Sequence, residues 1–125
     1  MIETGTNYTQ SKVVELKDTA FVYGSGKLEV FATPALAAFM ENTAVKCLEG
    51  LLDAGTDTVG IEINIQHIKA TAVGKTVSCK ATVVRVEGRK IGFDIEAWDE
   101  AGKIGQATHD RFIIDPHKFM SKIRS

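Results

Sequence analysis

The segment Val30 to Leu52, VFATPALAAFMENTAVKCLEGLL, decides how the rest of the chain must be arranged. Thr33-Pro34 joins an N-cap hydroxyl to a proline at the first helical position, where no N–H is missed. From there Leu36, Phe39, Met40, Ala44, Cys47, Leu48 and Leu51 follow the three-and-four rhythm of an α-helix, and Ala54-Gly55 supplies an exit. Asn42, Lys46, Glu49 and Asp53 gather into one narrow polar stripe, so most of the circumference is apolar. Such a helix is covered on more than one side, by a sheet that wraps it or by a second subunit. Glu41 lies off the polar stripe, with Ala37, Ala38, Ala44 and Val45 as its neighbours three or four positions away. A carboxylate is therefore predicted on an apolar face. Either its stem covers apolar surface while its head reaches water, or it is a functional acid.

Beyond the helix the period changes to two. Val59, Ile61, Ile63, Ile65 and His67 take one face of a strand, and Gly60, Glu62, Asn64 and Gln66 the other. A lone histidine on an apolar phase is usually a satisfied core or rim residue, but His67 shares its presumed core face with Glu41. Lys75 to Glu87 alternates Val77, Cys79, Ala81 and Val83 against polar partners, and Glu87-Gly88-Arg89 makes a tight hairpin. Ile91, Phe93, Ile95 and Ala97 alternate in the next strand, which pairs antiparallel with its predecessor. After a second turn at Asp99 to Gly102, the strand Lys103 to Asp115 carries Gly105, Ala107, His109, Arg111 and Ile113 on one face. Upstream, Gln10 to Leu16 reads as a first strand and Asp18 to Glu29 as a loop turning at Gly24-Ser25-Gly26. Pro116 starts a short terminal helix anchored by Phe119 and Ile123. Strand, long apolar helix, then four strands joined by short turns is the order of an α+β domain whose antiparallel sheet curls round one central helix.

Composition sets the bounds. At 125 residues, 44% hydrophobic and 25% charged, residues 1–125 are expected to form a single domain with one core. A net charge of -1 without long charge runs disfavours a nucleic-acid or polybasic membrane surface. No segment has the makings of a signal peptide or a membrane span, so a cytoplasmic location is expected. Cys47 and Cys79 sit on apolar phases without metal-ligand spacing and read as buried thiols; no metal site is expected. No Gly-rich phosphate loop or GxSxG elbow is present.

The chain resembles the hotdog-fold thioesterases, and within them the fluoroacetyl-CoA thioesterase-like branch. The resemblance runs over Val30-Phe31-Ala32-Thr33, Met40-Glu41, Gly60, His67, Val86-Glu87-Gly88-Arg89 and Thr108-His109-Asp110-Arg111. It implies a catalytic set of Thr33, Glu41 and His67, with Gly60 and Arg111 in contact with substrate. It implies further a homodimer with a continuous sheet, an acyl-CoA thioester bound at the subunit boundary, and no cofactor beyond the coenzyme A of the substrate. The chain departs from the branch at Tyr23 to Glu29, YGSGKLE, where the fluoroacetate-specific enzyme carries a proline- and phenylalanine-rich lid. Fluoroacetyl specificity is accordingly not implied.

Thioester hydrolysis needs an attacking oxygen, a place for the proton and donors for the developing oxyanion. Glu41 can deprotonate water or attack the thioester itself, His67 can shuttle the proton or donate to the thioester oxygen, and Thr33 offers a hydroxyl as nucleophile or water-positioner. A threonine without an adjacent base is a poor nucleophile, which favours a role in positioning. Thr33 and Glu41 stand eight residues apart, about 12 Å along a straight helix, so they cannot touch. Folding back of Thr33, a bridging substrate, or a site shared between subunits each resolves this, and the shared site is the reading adopted. Arg111 is read either as an interface or surface ion pair or as a substrate ligand. His109 has no role assigned, and Arg89 and Lys90 read as a solvated turn, with contact to the nucleotide phosphates of the substrate as the alternative. The expected function is hydrolysis of a short or small acyl-CoA thioester. A non-catalytic acyl-CoA-binding hotdog module and a hotdog enoyl-CoA hydratase or dehydratase are the alternatives.

Overall fold

A computed structural model describes all 125 residues. Five strands form one fully antiparallel sheet: β1 (Asn7–Val13), β2 (Asp57–His67), β3 (Thr76–Glu87), β4 (Lys90–Asp99) and β5 (Gly102–Ile114), in the spatial order β1-β3-β4-β5-β2. The short turn α1 (Ala20–Tyr23) precedes the long helix α2 (Thr33–Cys47), and α3 (Pro116–Arg124) closes the chain. This is the α+β arrangement expected, with α2 lying on the concave face of the sheet.

The helix is held by its apolar stripe. Ala35, Leu36, Phe39, Met40, Ala44 and Cys47 are buried against Val77, Cys79, Ala81, Val83, Ile91, Phe93, Ile95 and Ala97 from the central strands. At about 1.5–3 kcal/mol for each fully buried large side chain, this contact outweighs any capping contribution. The polar stripe is as read: Asn42 and Glu49 are exposed and Lys46 half-buried. Two details differ. The helix stops at Cys47 and unwinds through turns with Gly50 at φ 79°, earlier than the predicted exit at Ala54-Gly55. The N-cap is Ala32, with no side-chain capping bond, so Thr33 is the first helical residue and its hydroxyl is not a cap.

Hairpin pairing follows the alternation in β3 and β4, where Glu87 pairs with Lys90 across Gly88 at φ 62°. The first strand lies three residues earlier than expected, because its partners in β3 are Thr76 to Thr82. The largest correction is in β2. A β-bulge between Gly60 and Glu62 inserts one residue against β5, so Ile61 is turned outward and is 51% exposed. Thr58 and Gly60 before the bulge, and Ile63, Ile65 and His67 after it, pair with the inward residues of β5, from Ile113 to Gly105. The predicted row is thus broken over its first two members, Val59 and Ile61, and Gly60 joins the inward face. No helix is long and apolar enough to cross a membrane.

Candidate active site

The structure gathers the candidate residues into two groups. In the first, Thr33 opens α2 and His67 ends β2, and Thr33 Oγ1 lies 2.8 Å from His67 Nδ1. Because Ala32 occupies the capping position, the threonine hydroxyl is free to make this bond. The imidazole supplies the adjacent base that a threonine needs if it is to be more than a positioning group. His67 meets Phe31 edge-on, its centroid 6.4 Å away. Its Nε2 is buried without a hydrogen-bond partner. Burial lowers the His67 pKa below the ordinary histidine value, while the Lys69 backbone opposes part of that shift. The neutral imidazole is therefore favoured, able to accept the threonine proton. A cavity of about 330 Å³ adjoins the pair, bordered by Ala20, Ser25, Val30, Phe31, Ile68 and Lys69 among others.

The second group surrounds Glu41, half-buried in the middle of α2. A methyl carbon built on Gly60 would lie 3.1 Å from Glu41 Oε2, 3.2 Å from Arg111 Nη1 and 3.3 Å from His109 Cε1. Three polar side chains thus converge over a glycine that leaves them room. Arg111 is not at the surface and forms no ion pair within 4.0 Å inside the chain, which removes the surface ion-pair reading of it. It is held by neutral acceptors: Nε donates to Thr58 Oγ1 at 2.8 Å and Nη2 to the Thr58 carbonyl at 3.2 Å. Burial lowers its pKa, and the charges of Glu41 and then Asp57 act in the opposite direction. His109, buried and stacked on Phe93 at 6.0 Å between centroids, lies beside the same guanidinium. Burial lowers its pKa as well, the Glu62 carbonyl opposes this, and the Arg111 charge adds to it.

Sequence reasoning left His109 without a role and passed over Thr58. The signal for His109 was its place two residues before Arg111 on one face of β5. That for Thr58 needed the register of β2 on β5, which the bulge determines. Arg89 is exposed at its hairpin, and Lys90 lies 3.7 Å from Asp110 on the outer face of the sheet.

The two groups do not meet within one chain. Glu41 packs beside Gly60 and Thr33 beside His67, at opposite ends of the stretch of β2 from Gly60 to His67, about 20 Å long. His67 and Glu41 share a face of the molecule without sharing a place on it.

A model of the fluoroacetyl-CoA-specific thioesterase family matches residues 14–117. The fluoroacetyl-CoA thioesterase of Streptantibioticus cattleyicolor is 36% identical over 96 residues, which cover 77% of this chain and 69% of that protein. Among solved structures, a fluoroacetyl-CoA thioesterase superimposes with a TM-score of 0.93 at 32% identity, over 99% of this chain and 96% of the other. A hot-dog-like protein from Thermanaerovibrio acidaminovorans gives a TM-score of 0.91 at 26% identity, over 98% and 90% of the two chains.

Proposed function

This chain belongs to the fluoroacetyl-CoA-specific thioesterase family, and from that premise we propose that it hydrolyses a short or small acyl-CoA thioester to the free acid and coenzyme A. The observation that carries the reading is the convergence of Glu41, Gly60 and Arg111 on one notch in a chain that also holds a Thr33–His67 hydrogen bond. Glu41 delivers the attacking oxygen, its own or that of a water it deprotonates. The buried Arg111 guanidinium, uncompensated by any ion pair, faces the negative charge that develops as the carbonyl becomes tetrahedral. The Thr33–His67 pair handles the proton that the departing thiolate needs.

Separation of the two groups supports a homodimer that completes the site, with Glu41 of one chain facing Thr33 and His67 of the other. One feature favours it: strand β2 is eleven residues long and lies at the edge of the sheet, with one side unpaired, and it displays the exposed Ile61. We place the protein in the cytoplasm, where the free thiols of Cys47 and Cys79 stay reduced.

The segment Tyr23 to Glu29 opens with Gly24 in the left-handed region, capping α1, and contains no proline. The exposure of Tyr23 and Leu28 within it, and of Phe21 beside it, supports a site that accepts small acyl groups other than fluoroacetyl. A panel of acyl-CoA esters of increasing chain length, with released thiol measured, tests the proposal. Turnover of short acyl chains is expected, and a protein that releases thiol from none of them is not a thioesterase.

Gly60→Ala probes the notch directly. Its methyl group would press three side-chain ends, each of which must give by a few tenths of an ångström. The variant is expected to fold, with a stability loss of about 1 kcal/mol, and to lose roughly tenfold or more in kcat/KM. Unchanged kinetics would show that the notch is not where the thioester sits.

A further inference from the structure

Building on the reading of Arg111 as a substrate-facing group, we infer that His109 is a positioning residue: a neutral imidazole whose Nε2 fixes the Arg111 nitrogen that faces the Gly60 notch. The two ring nitrogens have opposite duties, and their neighbours dictate which carries the proton. His109 Nδ1 lies 2.7 Å from the Glu62 backbone oxygen, and a carbonyl only accepts, so Nδ1 donates. His109 Nε2 lies 3.2 Å from Arg111 Nη1, and a guanidinium only donates, so Nε2 accepts. Both neighbours select the same neutral tautomer. An imidazolium would set an N–H against the N–H of Arg111.

This assignment explains how a buried, unpaired guanidinium is aimed. Arg111 has five N–H groups, and three are committed to Thr58 Oγ1, the Thr58 carbonyl and His109 Nε2. One N–H remains on each terminal nitrogen. The Nη1 that His109 holds is the nitrogen 3.2 Å from the position of a methyl on Gly60, beside Glu41. Thr58 alone grips the other edge of the plane and leaves Nη1 without an acceptor. The stack on Phe93 and near-complete burial hold the ring itself in place. The carbonyl that orients it belongs to Glu62, the residue at which the β2 bulge ends, so the bulge serves the arginine at one remove.

The two side-chain amides separate the two duties. Asparagine at 109 reaches the Nδ1 position and keeps a donor for Glu62, but its amide is too short to reach Arg111. Glutamine reaches the Nε2 position and returns an acceptor to Nη1. His109→Asn is expected to lower kcat/KM by roughly tenfold to a hundredfold, the cost of losing one hydrogen bond to a charged group. His109→Gln should recover most of that loss. In an Arg111→Met background, His109→Asn should cost no further factor beyond about twofold, because the group through which it acts is gone. Thermal melting of every variant checks the fold, and His109→Leu supplies the same contrast with His109→Gln should the asparagine variant not fold. Equal losses for Asn and Gln, or losses that multiply in the double variant, overturn the inference and leave His109 a packing residue. A wild-type protein without turnover, or an Arg111→Met variant with full turnover, sinks the functional reading on which the inference rests.

Discussion

Glu41→Ala is expected to abolish measurable release of thiol from acyl-CoA while leaving the thermal transition of the protein nearly where it was. A positioned general base contributes about 10²–10⁴-fold to a rate, and a group that also supplies the attacking oxygen contributes at least as much. The structural cost is small for a specific reason. Glu41 is half-buried and its carboxylate makes no hydrogen bond or ion pair within the chain, so truncation removes an unpaired carboxylate without opening a packed core. Its electrostatic contribution to the fold is the field it exerts on the buried, charged Arg111. Losing that attraction should cost no more than about 1 kcal/mol, within the common range for single substitutions. Glu41→Gln, equal in size, separates charge from shape and should be as inactive as the alanine variant. Turnover at the wild-type rate in either variant rules out Glu41 as the acid of this site and, with it, the assigned chemistry.

How far the sequence reveals this site depends on whether a feature is local. The alternation in β3 and β4 is legible because each strand pairs with its neighbour through a two-residue turn, and the period holds from Val77 to Val83 opposite Phe93 to Asp99, the one register shift lying beyond it between Val83 and Arg85. The apolar stripe of α2 is legible for the same reason. The β2 bulge is not, because it arises from a mismatch of one residue against β5, fifty positions downstream. Reading Val59 to His67 as one uninterrupted strand turned Ile61 inward and Gly60 outward, the reverse of what the pairing requires. Thr33 makes a related point. A threonine before proline is a good cap by local rules, and its hydroxyl goes instead to a histidine 34 residues away. Glu41 on the apolar face was legible from helical phase alone. That it looks toward Arg111 and His109, and not toward His67, follows from where along β2 the helix crosses. Phase gives the face of an element, and only tertiary register gives the position along it.

Two inactive variants, Glu41→Ala and His67→Ala, are expected to restore turnover when they are combined in one dimer. If Glu41 of one chain works with Thr33 and His67 of its partner, the mixed dimer holds one site in which both groups are intact and one in which both are missing. Random reassortment makes half of the dimers mixed, so recovery should approach about a quarter of wild-type activity. Two differently tagged chains, co-expressed and purified through both tags, give the mixed dimer alone, with recovery near half on the same arithmetic. The motive is the distance: eight helical residues, about 12 Å, separate Thr33 from Glu41, and a thioester carbon must be within about 3–3.5 Å of its attacking oxygen. A substrate that bridged the two groups within one chain would place acid and proton carrier on different atoms of an extended ligand. Mixed dimers would then contain only broken sites and stay inactive. Inactivity of a doubly tagged, folded mixed dimer therefore excludes the shared site and assigns both groups to a single chain.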